Sequence, residues 1–159
     1  MNQDKAFQPL RSSPKHILLV VEDSEQDYEM LLRSIKKSDI PCQVNHCETG
    51  EEAIDYLTNQ GEFDDREKYP QPSFILLDLN LPGFDGKDIL KKIKNHPVLK
   101  CIPTIIFTTS SNPRDIQGCY RNGANAYVIK PMDVPKLQEC VTLLLKHWLK
   151  INITNVDNI

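Results

Sequence analysis

Four places along the chain put reactive side chains directly after a short, largely apolar run. Ile17 to Val21 is followed by Glu22-Asp23, Phe74 to Leu77 by Asp78, Thr104 to Phe107 by Thr108-Thr109, and Ala126 to Ile129 by Lys130-Pro131. Three carboxylates gathered in one place repel one another unless a cation sits among them, and a hard divalent ion takes such oxygen ligands. An ammonium and a hydroxyl beside them suit an anionic oxygen. Singly, each residue has a plainer reading. An Asp ending a strand is commonly a turn or cap residue, a lysine there a snorkelling surface group, and a threonine a β-branched strand residue. They become a candidate site because all of them follow the same kind of element.

Those elements are strands alternating with helices. His16 to Val21 reads as a strand buried on both faces. Ser24 can cap a helix running to about Ser38, with Met30, Leu31 and Ile35 inward. Gln43 to Cys47 is a second, less apolar strand suited to a sheet edge, so its end at Glu48-Thr49 falls outside the cluster. Thr49 and Glu52 approach a capping box before a helical face of Ala53, Ile54 and Leu57. Gly61 to Pro72 reads as a polar loop. The alternation then repeats: a strand over Phe74 to Leu77, a helix over Gly86 to Asn95 with Ile89, Leu90 and Ile93 inward, a strand over Thr104 to Phe107, and a helix from Pro113 to Asn122 ended by Gly123. A strand over Ala126 to Ile129 and a helix from Val134 to about Trp148 complete the series. Five β-α units with right-handed crossovers predict an α/β, doubly wound three-layer sandwich, in which ligands bind beyond the carboxyl ends of the strands.

The 159 residues suit one domain with a real core. A net charge of −3 supplies no global field for gathering nucleic acid or anionic lipid. The longest apolar run, Ile17 to Val21, is far short of a membrane span. Residues 1–14, with two prolines and no apolar signal segment, read as a flexible arm, 15–150 as the domain and 151–159 as a tail. Cysteines at 42, 47, 101, 119 and 140 are odd in number and irregular in spacing, which favours reduced thiols in a cytoplasmic protein over a zinc site or disulfide framework. The histidines at 16, 46, 96 and 147 show no metal-ligand spacing, and Gly83 and Gly86 do not form a dinucleotide loop.

In the order and spacing of Val21-Glu-Asp23, Leu77-Asp-Leu-Asn-Leu-Pro-Gly83, Phe107-Thr-Thr-Ser110 and Tyr127-Val-Ile-Lys-Pro131, the chain resembles the receiver domain of two-component response regulators. The resemblance spans about residues 15–150 and implies a flavodoxin-like parallel sheet of five strands in the order 2-1-3-4-5. It implies Asp78 as phosphoacceptor, a carboxylate nucleophile that becomes an acyl phosphate. It implies Mg²⁺ ligated directly by Asp23 and Asp78, through water by Glu22, and by the backbone carbonyl of Asn80. Glu22 stands where the family often has an aspartate. Mg²⁺ and Lys130 would neutralise the transferring oxygens, Thr108 would donate its hydroxyl to one of them, and the small Thr109 would leave the site accessible. Thr108 and Tyr127 are the implied switch pair, the hydroxyl moving toward the phosphoryl group and the ring turning into the space it leaves. The Lys130–Pro131 peptide is expected to be cis, as in the family.

The long connection from Gly61 to Pro72 and the run Leu77 to Gly86 resemble, more narrowly, stand-alone regulators paired with bacterial and especially cyanobacterial phytochrome kinases. The implied donor is a light-dependent histidine kinase. No DNA-binding or enzymatic unit fits after the fifth helix, so the expected output is partner binding, dimerisation or onward phosphotransfer, with no enzymatic activity beyond its own phosphorylation and dephosphorylation. Val134, Leu137, Val141, Leu144 and Trp148 would form the core stripe of that helix, while Cys140, Leu143, Leu145, Leu149 and Ile151 widen it beyond one sheet face. A homodimer through helix four, strand five and helix five, Tyr127 included, would cover the excess. A monomer with its tail folded over the stripe is the plainer alternative. Two other function classes compete. A phosphate-independent binding scaffold would not need the complete set Asp23, Asp78, Thr108 and Lys130. A metal-dependent phosphatase would want an acid two residues after its nucleophile, where this chain has Asn80.

Overall fold

The structure, a computed structural model, describes residues 16–153. The expected arm over residues 1–14 and most of the expected tail lie outside the described residues. Three strands are buried along their whole length: β1 (Ile17–Val21), β3 (Phe74–Leu77) and β4 (Thr104–Thr108). Two more mixed strands, β2 (Gln43–Cys47) and β5 (Ala126–Ile129), are half-buried and take the edges. All pair in parallel, in the order β2-β1-β3-β4-β5, as expected.

A continuous apolar run serves two core layers because successive strand residues point to opposite faces. Leu18 and Val20 join the layer under α1 (Glu25–Lys37) and α5 (Val134–Leu145), whereas Leu19 and Val21 join the layer under α2 (Gly50–Thr58) and α3 (Gly86–Asn95). Each fully buried leucine stabilises the fold by about 1.5–3 kcal/mol relative to exposure. Ser24 and Thr49 cap α1 and α2 through the amides of Asp27 and Glu52 at 3.2 and 3.1 Å. The return half of the capping box is displaced by one residue: the Glu52 carboxylate accepts from the Glu48 amide at 2.8 Å. Leu31, Ile35, Ala53, Leu57, Ile89, Leu90 and Ile93 all face inward. By contrast α4 (Pro113–Arg121) buries Cys119 alone among its residues.

Three features depart from expectation. The segment from Gly61 to Pro72 is no merely polar loop. A 3₁₀ turn over Gly61–Phe63 buries Phe63 against Tyr56 and Tyr69, ring centroids 5.0 to 5.8 Å apart. Asn59, in the left-handed region, ties the Phe63 and Tyr69 carbonyls with its side-chain amide. Between β3 and α3 lies a hairpin pairing Asn80–Leu81 with Phe84–Asp85, turned by Gly83 at φ 70°. In the fifth helix the buried row is Leu137, Val141, Leu145 and Leu149, and a wider π turn over Lys146–Ile151 ends it. Val134 is exposed, and Leu144 and Trp148 are only partly buried beside that core, so the expected inward stripe is corrected by rotation about the helix axis.

Candidate functional site

The carboxyl ends of β1, β3 and β5 meet in one crevice. Pairing in the sheet fixes their heights: the Glu22 amide donates to the Cys47 carbonyl at 3.0 Å, the Asp78 amide to Val21 at 3.1 Å, and the Lys130 amide to Thr108 at 2.7 Å. His46 also reaches the Glu22 carbonyl, Nε2 to oxygen 2.6 Å, with its ring stacked on Tyr28 at 3.7 Å.

Lys130 is the hub. Its Nζ donates to Glu22 Oε2 at 2.6 Å, to Asp78 Oδ2 at 2.9 Å and to Asp27 Oδ2 at 3.1 Å. Glu22 and Asp78 are buried, while Asp23 is exposed. Asp78 is further held by the Asn80 amide, which donates to Oδ1 at 3.2 Å. Burial first, then the adjacent Asp78 carboxylate, push Glu22 up to about 7 against the pull of Lys130. Burial opposes charge on Asp78 as well, but the Glu22 carboxyl, the Lys130 ammonium and the Asn80 amide outweigh it and hold Asp78 below the usual carboxylate range. Burial likewise works against the ammonium, yet the two carboxylates keep Lys130 above the ordinary lysine value. The two shifts run in opposite directions, so Asp78 is the more readily ionised of the two carboxyls.

Glu22, Asp23 and Asp78 each offer an oxygen, all within 4.8 Å of one another. A hard, all-oxygen donor set of this size fits Mg²⁺. Thr108 is fully buried at the end of β4, beside Ile129 in the sheet, and its Oγ1 accepts only a long contact of 3.5 Å from the Ser110 amide. Tyr127 does not touch the carboxylates. Its hydroxyl donates to the Ser110 carbonyl at 2.8 Å, and its ring packs against the core. A recess of about 200 Å³ opens beside Asp78 and Lys130, walled by Met30, Leu31, Phe107 and Met132.

One expectation fails. The Lys130–Pro131 peptide is trans, as is every peptide bond among the described residues. Trans is the favoured X–Pro isomer by about 0.5–1 kcal/mol, and Lys130 reaches its three carboxylates in that form. Two sets of residues escaped the sequence reading. Asp27 reaches the lysine from the first turn of α1, a placement that the capping residue Ser24 three positions earlier could have signalled. A chain of contacts also links α3 to the loop after β4. Lys87 Nζ lies 2.9 Å from Asp115 Oδ1, and Ser110 Oγ donates to Asp115 Oδ2 at 2.6 Å. These partners lie up to 28 residues apart in sequence.

The family described as response regulator receiver domain matches residues 18–142. Response regulator Rcp1 of Synechocystis is 37 % identical over 139 residues, which cover 87 % of this chain and 92 % of that protein. Among solved structures, the phosphorylated cyanobacterial phytochrome response regulator RcpA superposes with a TM-score of 0.83 at 33 % identity, covering 89 % of this chain and 99 % of that one. The Mn²⁺-bound form of Rcp1 gives 0.79 at 35 % identity, with 87 % and 98 % covered.

Proposed function

Since the chain belongs to the response regulator receiver domains, we propose that it accepts a phosphoryl group on Asp78 from a histidine kinase, in a Mg²⁺-dependent reaction. The observation that carries the reading is the buried Asp78 carboxylate paired with the Lys130 ammonium at 2.9 Å, within a donor set fit for a divalent cation. Asp78 attacks phosphorus; a phosphorus–oxygen bond forms as the donor's phosphorus–nitrogen bond breaks, and the histidine nitrogen regains a proton. Asp23, Asp78 and the Asn80 carbonyl would hold Mg²⁺, with Glu22 acting through water. When bound, the ion draws negative charge from the transferring oxygens. Lys130 exchanges one of its carboxylate contacts for a phosphoryl oxygen. Thr108 turns its hydroxyl from the Ser110 amide toward another oxygen, and that motion is relayed to Tyr127 through the shared Ser110 segment.

A phytochrome is the proposed donor, on the strength of the likeness to Rcp1 and RcpA. Partly exposed free thiols at Cys42, Cys101 and Cys140 suit the reducing cytoplasm. The proposed output is a homodimer through α4, β5 and α5, where Tyr120, Ile129 and Leu143 are exposed and Leu143 shares a shallow recess with Trp148.

Intact mass after incubation with Mg²⁺ and a small phosphodonor tests the acceptor. One phosphate should add to the unaltered chain and none to Asp78→Asn, which keeps the shape but loses the anionic oxygen. Uptake by Asp78→Asn would remove the assignment, and rapid turnover without an adduct would favour a phosphatase.

A further inference from the structure

The site lysine has one more carboxylate than phosphoryl transfer requires. Asp27 lies in the first turn of α1 and takes the third Lys130 contact, at 3.1 Å. Glu22 and Asp78 are almost completely buried, whereas the Asp27 side chain is 44 % exposed and lines the recess beside Asp78. An ammonium has three protons to donate, and here each one has a carboxylate. A phosphoryl oxygen can therefore reach Lys130 only by displacing one of them. Glu22 and Asp78 have a second function in the cation site, where their oxygens and that of Asp23 cluster. Asp27 is not part of that cluster, and among the described residues its carboxylate makes no other ion pair or hydrogen bond. Its charge also suits the helix N-terminus, but Glu25 supplies the same charge in the same turn without touching the lysine.

We propose that Asp27 is a positioning residue that competes with the phosphoryl group for Lys130 and so restrains the phosphorylated form. The inference rests on the acceptor reading of Asp78. Asp27 holds the ammonium over the crevice before transfer and draws it back afterwards, setting how tightly an anionic group on Asp78 is kept.

The test is calorimetric titration of the full chain with beryllofluoride, a phosphoryl mimic, at saturating Mg²⁺. Asp27→Asn keeps the side-chain shape and removes the charge. It should bind the mimic about two- to fivefold more tightly, the size expected of a half-exposed ion pair. Glu25→Gln removes a charge from the same turn and should leave the affinity unchanged. Unchanged or weaker binding by Asp27→Asn overturns the proposal. Equal tightening by Glu25→Gln overturns it too, since the effect would then belong to the field of the helix rather than to the contact. If the unaltered chain binds no beryllofluoride, the acceptor reading itself falls, a result visible before any Asp27 variant is compared.

Discussion

At the scale of single residues, the cluster is a contest between burial and charge. Glu22 shows the balance most plainly: its ordinary value of 4.5 is pushed to about 7 by burial and by Asp78, despite an ammonium at 2.6 Å. A carboxyl raised on folding contributes stability that is fully present below its unfolded value and lost as the pH rises through its folded one. Asp78, lowered, contributes in the opposite sense, but its contribution fades only below 3.8, and that of the raised Lys130 only above 10.5. Thermal melts of the metal-free chain should therefore show a Glu22-linked loss of stability between pH 4.5 and about 7. Replacing Glu22 by Gln should flatten that slope. Added Mg²⁺ should stabilise the native chain more at the upper end of this window than at the lower, because there it no longer displaces a proton.

Elements hold these residues at their heights, and two glycines separate backbone conformation from space. Gly83 turns the hairpin at φ 70° with open space where a Cβ would point. Gly83→Ala should cost about 1–2 kcal/mol in urea melts through the left-handed backbone alone, leaving phosphorylation intact. Gly86 opens α3, and a Cβ there would collide with the Asp78 carbonyl and the Leu79 backbone. Gly86→Ala should cost about 1–3 kcal/mol or more, and should also slow phosphorylation by shifting the Asp78 backbone. A different weakness lies in α4, which buries one residue and depends on polar ties at its start. Lys87 holds Asp115, and Asp115 holds Ser110. Lys87→Met should speed amide hydrogen exchange in α4 more than in α3, whose Ile89, Leu90 and Ile93 remain buried.

For the whole molecule, the proposed dimer face coincides with the least anchored side of the sandwich. It combines the edge strand β5 with exposed Ile129, the thinly packed α4 with exposed Tyr120, and α5 with exposed Leu143. Tyr127 lies on that strand and is bonded to Ser110, in the loop that follows Thr108. Phosphorylation and association should therefore be linked, each shifting the other by the same factor. Sedimentation at micromolar protein should show a dimer whose constant changes with beryllofluoride. A monomer in both conditions would remove the dimer, and an unchanged dimer would remove the link. Leu143→Arg should weaken association while leaving the thermal stability of the monomer nearly unchanged, because that side chain is already in solvent.

The sequence by itself determined the order of elements, because the three central strands are short apolar runs and the helices between strands start at capping residues, most of them with an apolar inward face. It also determined the strand-end residues Glu22, Asp23, Asp78, Thr108 and Lys130, since in a parallel sheet a residue at the carboxyl end of its strand shares one rim with the others. Only tertiary structure decided which partners those residues keep. Asp27 reaches Lys130 across 103 positions, and Lys87 reaches Asp115 across 28. Such contacts depend on the distance between packed elements, which no local pattern encodes. The same reason explains the fifth helix, where several apolar rows compete and the neighbouring sheet and α1 select Leu137, Val141, Leu145 and Leu149. It explains the aromatic anchor inside a connection that is polar in composition: Phe63 and Tyr69 become core only once Tyr56 has been placed beside them. The isomer of Lys130–Pro131 belongs to this class as well, because two states separated by so little energy are decided by the surroundings and not by the dipeptide.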